Sequence, residues 1–141
     1  VACSDEHFGN ANNILLPGKS KNMGNGWETR RRRGKGYDWV LLKLGLSGYP
    51  ISFEINTHYF KGNYPDSFSI QGIYNNKNIS INSIIKNCKK WQTIIALTKL
   101  KPNSSLKINM LKKFYKKYNY IKLNIYPDGG ISRFRIYGKI K

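Results

Sequence analysis

Apolar and polar residues alternating with a period of two restrict this chain more than any other feature. Ile51, Phe53 and Ile55 alternate with Ser52, Glu54 and Asn56, and Ile121, Leu123 and Ile125 with Lys122, Asn124 and Tyr126. Phe134 and Ile136 alternate with Arg133, Arg135 and Tyr137. Successive side chains of a strand leave on opposite faces, so each pattern gives a strand with one face to a core and one to water. Shorter apolar runs at Trp39–Leu44, Phe68–Tyr74 and Gln92–Thr98 read as strands covered on both faces. Turn residues punctuate the runs: Pro17-Gly18, Gly24-Asn25-Gly26, Gly34-Lys35-Gly36, Gly48-Tyr49-Pro50, Pro65-Asp66, Pro102-Asn103 and Pro127-Asp128-Gly129-Gly130. Roughly seven or eight strands with no long helical stripe predict an all-β sandwich. Asn75 to Lys90, rich in Asn, Ile and Lys, reads as a variable loop with room for one helical turn, and Lys112 to Asn119 as a basic connection.

At 141 residues and 40% hydrophobic content, the chain suits one cored domain over 1–141, and wholesale disorder is excluded. The net charge of +18 has two readings, a polyanion partner or compositional drift in a chain rich in Lys, Asn, Ile, Tyr and Phe. The lysines are scattered and not gathered in a stripe, which favours drift and makes a nucleic-acid partner the weaker expectation. Cys3 and Cys88 lie far apart and in no metal-ligand pattern, so free thiols in a reducing compartment are expected. Asp5, Glu6 and His7 stand where a signal peptide would be apolar, and the longest apolar runs, such as Ile94–Leu97, span four residues. No membrane span is expected. The expectation is a cytoplasmic protein, cut from or forming part of a longer chain.

Every carboxylate falls in a few dense segments that also hold Gly, Trp and His, and none occurs between Asp66 and Asp128. In so basic a chain, acids confined in this way suggest a site. Arg30 to Arg33 follow Gly26-Trp27-Glu28-Thr29; arginine binds a carboxylate through two parallel N–H···O bonds and never loses its charge. A solvated basic turn is the plainer account of the same run, and in a strand at most two of these arginines would face one ligand. Asp5, Glu6, His7 and His58 offer acid–base groups. The plainer accounts are a turn cap for His7 and a hydrogen-bonded core residue for His58, on a strand-like Thr57-His58-Tyr59-Phe60. No His-x-His or His-Glu-x-x-His spacing supports a metal site. Lys61 to Asp66 and Asp128-Gly129-Gly130, the latter leading to Arg133 and Arg135, each bring opposite charges beside glycine.

Four blocks carry a resemblance: the stretch from Ser4 to Gly45 containing NGWETRRRR, EINTHYFKGNYPDS, LTKLKPNSS, and LNIYPDGGISRFRIYG. Together they resemble the allantoicase repeat from about Cys3 to Gly138, with FKGNYPDS more similar to a second repeat than to a first. The resemblance implies a jelly-roll β-sandwich of the galactose-binding and discoidin-like kind. It also implies hydrolysis of allantoate to ureidoglycolate and urea in purine and allantoin degradation. A homo-oligomer or a second allantoicase repeat is the implied partner, and the cofactor is left open. For that reaction the expected catalytic groups are Glu28 or His58 as proton donor, with Glu6 as reserve base. Asp66 or Asp128 would orient ureido N–H groups. Arg30 with Arg133 or Arg135 would anchor the substrate carboxylate, and Arg31 and Lys61 join the expected binding set. Three alternatives stand beside the enzyme: a sugar-binding module stacking on Trp27, Trp39 and Tyr59, a polyanion binder, and a non-catalytic half of a two-repeat enzyme.

Overall fold

A computed structural model describes residues 1–86 and 91–140. In chain order its elements are β1 (Ala2–Cys3), β2 (Trp27–Glu28), β3 (Asp38–Asn56), β4 (Ser67–Ile73), α1 (Ile81–Lys86), β5 (Gln92–Lys99), β6 (Ser105–Asn109), β7 (Tyr118–Tyr126), β8 (Gly130–Ile131) and β9 (Arg133–Ile140). Short 3-10 turns sit at Ala11–Leu15, Met23–Asn25 and Lys112–Phe114.

Strand β3 organises the sheet by changing partners halfway. Asp38 to Lys43 pair with β7, and Ala2 and Cys3 with Leu41 and Val40, in the antiparallel order β1-β3-β7-β4-β5. Ser52 to Asn56 pair with β6 on one side and β9 on the other. Register shifts between Lys43 and Gly48 and between Pro50 and Ser52 mark the bend. The two pairing sets close over one core containing Val40, Leu42, Phe53, Ile55, Phe68, Ile70, Leu123, Ile125 and Phe134. Phe53 and Phe134 stack there with ring centroids 6.0 Å apart and planes within 4°. Burying each such side chain contributes about 1.5–3 kcal/mol. The result is the expected all-β sandwich.

Two of three local expectations change, and the helical turn expected within Asn75 to Lys90 is present. Trp39–Leu44 and Ile51–Asn56, read as two strands split by Gly48-Tyr49-Pro50, are one 19-residue strand with bulges. Asn75 to Lys90 contains a short helix, α1, whose fully buried Ile84 joins Leu41, Ile73, Trp91 and Tyr120 in a second apolar cluster; residues 87–90, with Cys88, lie outside the described residues. Strand β6 escaped the sequence reading because its alternation is short and its Leu106 and Ile108 are only half-buried. Among the described residues no helix is long and apolar enough to cross a membrane.

Candidate functional site

The two-residue ribbon β2–β8 gathers one polar rim. Trp27 pairs with Ile131 and Glu28 with Gly130. Trp27 is fully buried, and its indole N–H donates to the Asp5 carbonyl at 2.8 Å, fixing the N-terminal segment alongside. The backbone N–H groups of His7 and Phe8 both donate to the Glu28 carbonyl, at 3.0 and 3.2 Å. Gly9 completes this crossing: a Cβ there would lie 2.1 Å from the Gly26 carbonyl oxygen.

The loop after β7 is tied to the same place. Thr29 donates its N–H to the Gly129 carbonyl at 3.1 Å, and its hydroxyl accepts the Gly129 N–H at 3.0 Å. Gly129 has φ +134°, and a Cβ on it would meet the Asn63 carbonyl oxygen at 2.7 Å, so the turn needs glycine. Asp128 accepts the Arg32 N–H at 2.6 Å, and the Gly130 N–H donates to the Asn63 carbonyl at 2.9 Å. Asn63 in turn donates its side-chain N–H to Glu28 Oε2 at 2.6 Å. Four segments distant in sequence therefore meet around Glu28.

Arg30 and His7 meet at one edge of that rim. Asp5 Oδ2 accepts the Arg30 backbone N–H at 2.7 Å, and Arg30 Nε donates to His7 Nδ1 at 2.9 Å. The contact commits Nδ1 as acceptor, so a neutral His7 carries its proton on Nε2. It uses one of the five donors of Arg30. Arg32 instead turns to Asp38, 2.9 Å away and buried, which also accepts the Ser4 hydroxyl at 2.8 Å. A cleft of about 430 Å³ opens here, lined by Ser4, Asp5, Arg30–Arg33 and Asp38, with Arg31 and Arg33 exposed. The arginine run is irregular backbone and not a strand, so the alternation argument does not limit it.

Other expected site residues are placed differently. Arg133 is 2% exposed; its guanidinium donates to the carbonyls of Gly18, Asn13, Asn25 and Ser132 and to the Asn25 side chain, at 2.6–3.2 Å. Burial and the adjacent Arg135 charge lower its pKa. Arg135 donates to the carbonyls of Ile14 and Leu16. Both arginines, expected to anchor the substrate carboxylate, instead spend these donors on the segment before β2. Glu6, the expected reserve base, accepts the Ala11 N–H at 2.8 Å at the start of a 3-10 turn. Asp66 forms an exposed pair with Lys99 at 2.9 Å, and that hydrogen bond holds its carboxyl below the ordinary range. Asp128 secures the Arg32 backbone.

His58 lies on a turn and not on a strand, in a separate cleft of about 320 Å³ with Lys19, Ser20, Tyr59 and Asn103. Lys61 is exposed on the loop that delivers Asn63. Of the proposed stacking residues, Trp27 is fully buried and Trp39 half-buried, which removes the sugar platform. Sequence reasoning passed over Asn63 and Asp38; the only signal for Asn63 was its position in the Gly- and Pro-shaped loop already singled out.

The fold class and this rim define a galactose-binding-like β-sandwich with a polar site built from loops. The allantoicase repeat model matches residues 1–141, and the chain belongs to that family. It is 42% identical to a probable allantoicase of Pseudomonas syringae pv. tomato over 99% of this chain and 42% of that protein. A probable allantoicase of Acinetobacter baumannii is likewise 42% identical, over 99% of this chain and 41% of its own length. The chain thus spans about two fifths of the length of these relatives. The crystal structure of Saccharomyces cerevisiae allantoicase superposes with a TM-score of 0.83 at 30% identity, covering 98% of this chain and 39% of that one. A chitosan-binding module from Paenibacillus sp. IK-5 superposes at TM-score 0.69 with 17% identity, over 97% of this chain and 92% of the module, and shares the fold.

Proposed function

We propose that this repeat belongs to an enzyme that hydrolyses allantoate to ureidoglycolate and urea, and that the arginine cleft takes the substrate. The observation that carries this reading is the convergence of Arg30, His7 and Glu28 at one rim of the sandwich. Names of the relatives supply the reaction; the side chains supply roles for it. The remaining donors of Arg30, with the exposed Arg31, grip the substrate carboxylate. Neutral His7 presents Nε2–H to a ureido oxygen.

Glu28, with Oε2 held by Asn63, takes a proton from the attacking water and delivers it to the departing nitrogen. One carbon–nitrogen bond breaks, one carbon–oxygen bond forms at the same carbon, and urea leaves with the transferred proton. Any positive charge that the remaining ureido nitrogen develops is favoured by Glu28 and Asp5. Because the relatives are much longer, the working unit on this reading includes a second repeat or a second copy of the chain.

Urea release from allantoate tests the reading on this chain and on any longer natural form. Arg30→Ala is expected to lower turnover about 100-fold with an unchanged melting curve. Absence of urea from both forms would reject the enzymatic reading.

A further inference from the structure

A second cleft, of about 730 Å³, lies at the far end of β4, where Tyr74, Asn75, Asn76 and Lys77 face Lys116 and Lys117. None of the seven carboxylates of the chain lines it, and its three lysines form no salt bridge among the described residues. Its walls are pinned. Asn75 donates its N–H to Asn119 Oδ1 at 2.9 Å, and Asn119 returns a side-chain N–H to the Asn75 carbonyl at 2.8 Å. Asn75 Oδ1 also accepts the Lys77 N–H at 2.9 Å, closing an Asx turn. The ammonium of Lys117 sits 5.1 Å from the Tyr74 ring centroid, and that of Lys116 sits 5.7 Å from the Tyr118 ring. Tyr74 remains 44% exposed.

Three lysines with no carboxylate partner, beside a partly exposed tyrosine ring and pinned amide groups, match a ligand that is anionic at one end and planar at the other. We propose that this cleft binds a nucleoside polyphosphate, the phosphates on Lys77, Lys116 and Lys117 and the base against Tyr74. A bounded cleft of about 730 Å³ suits one small ligand better than a nucleic-acid strand. The proposal is independent of the reaction assigned to the arginine cleft.

Calorimetric titration of the full chain with ATP at low salt tests it. Binding is expected, weakened about tenfold or more in Lys116→Ala/Lys117→Ala. A smaller loss is expected in Tyr74→Ala, and none in the control Lys112→Ala/Lys113→Ala, all with unchanged thermal melts. Equal loss in the control, or no ATP binding, would overturn the site. Equally tight binding of inorganic tripolyphosphate would overturn the nucleoside assignment. Tighter binding of an oligodeoxythymidylate with a steep salt dependence would overturn it in favour of a strand.

Discussion

Arg133 carries a charge into the interior, and the backbone carbonyls of a single loop compensate it. Removing the guanidinium would leave the Asn13 and Asn25 carbonyls without a charged donor, while Gly18 keeps only the longer one from Arg135 at 3.4 Å. Arg133→Met is therefore expected to destabilise the fold by roughly 3 kcal/mol, read from urea unfolding midpoints. If the variant unfolds like the parent, the clamp role is wrong. Cys3 makes a second residue-scale test. Burial first, then the charges of Glu6 and Asp5, push its thiol up to about 11. In a Cys88→Ser background, the rate of iodoacetamide alkylation should still be climbing above about pH 10, where an ordinary thiol has levelled off. A plateau at about pH 10 would contradict the burial. From sequence, Arg133 looked like a ligand anchor because it follows a Gly-rich turn. Nothing local reveals that it meets Asn13, Gly18 and Asn25, each more than a hundred positions earlier.

Strand β3 shows how an element acquires two neighbourhoods. Gly48 packs where a Cβ would meet the Lys139 carbonyl oxygen at 2.8 Å, and Pro50 cannot donate to a ladder. Read alone, those residues spell a turn; paired with β9, they make a bulged bend in a continuous strand. Beyond the bend Glu54 accepts hydroxyl protons from Tyr137 of β9 at 2.9 Å and Ser105 of β6 at 3.1 Å. The Tyr137 bond is the larger cause holding the Glu54 carboxyl below its ordinary value. A carboxyl lowered on folding stabilises the folded state above its unfolded pKa, and that contribution disappears as pH falls through the folded value. Tyr137→Phe should therefore flatten the loss of stability on acidification below about pH 4.5 while lowering stability modestly near neutrality, as followed by thermal melts. An unchanged acid limb would show that the bridge contributes nothing.

At the scale of the molecule the charge is lopsided: all carboxylates lie outside 67–127, and several of them are assembled around the β2–β8 rim. A net charge of +18 on one sandwich disfavours the compact state through self-repulsion. Raising sodium chloride from about 0.05 to about 0.5 M should raise the melting temperature, since screening shortens the range of that repulsion. The exposed Lys99–Asp66 pair loses little in exchange. A melting temperature that falls with salt would mean that attraction dominates.

The amino-acid order alone determined most of the strand content, the sandwich class and the family, because period-two alternation and long motif strings are local properties. It also marked Glu28, Arg30 and the loop from Lys61 to Asp66, which holds Asn63, the partner of Glu28. The choice among the charged side chains was made only by the tertiary structure. Arg30 lines the cleft and meets His7, while Arg133 is sealed against carbonyls and Asp66 faces Lys99. Those fates depend on contacts between residues distant in sequence, and a hydrogen bond is decided by where its partner lies in space.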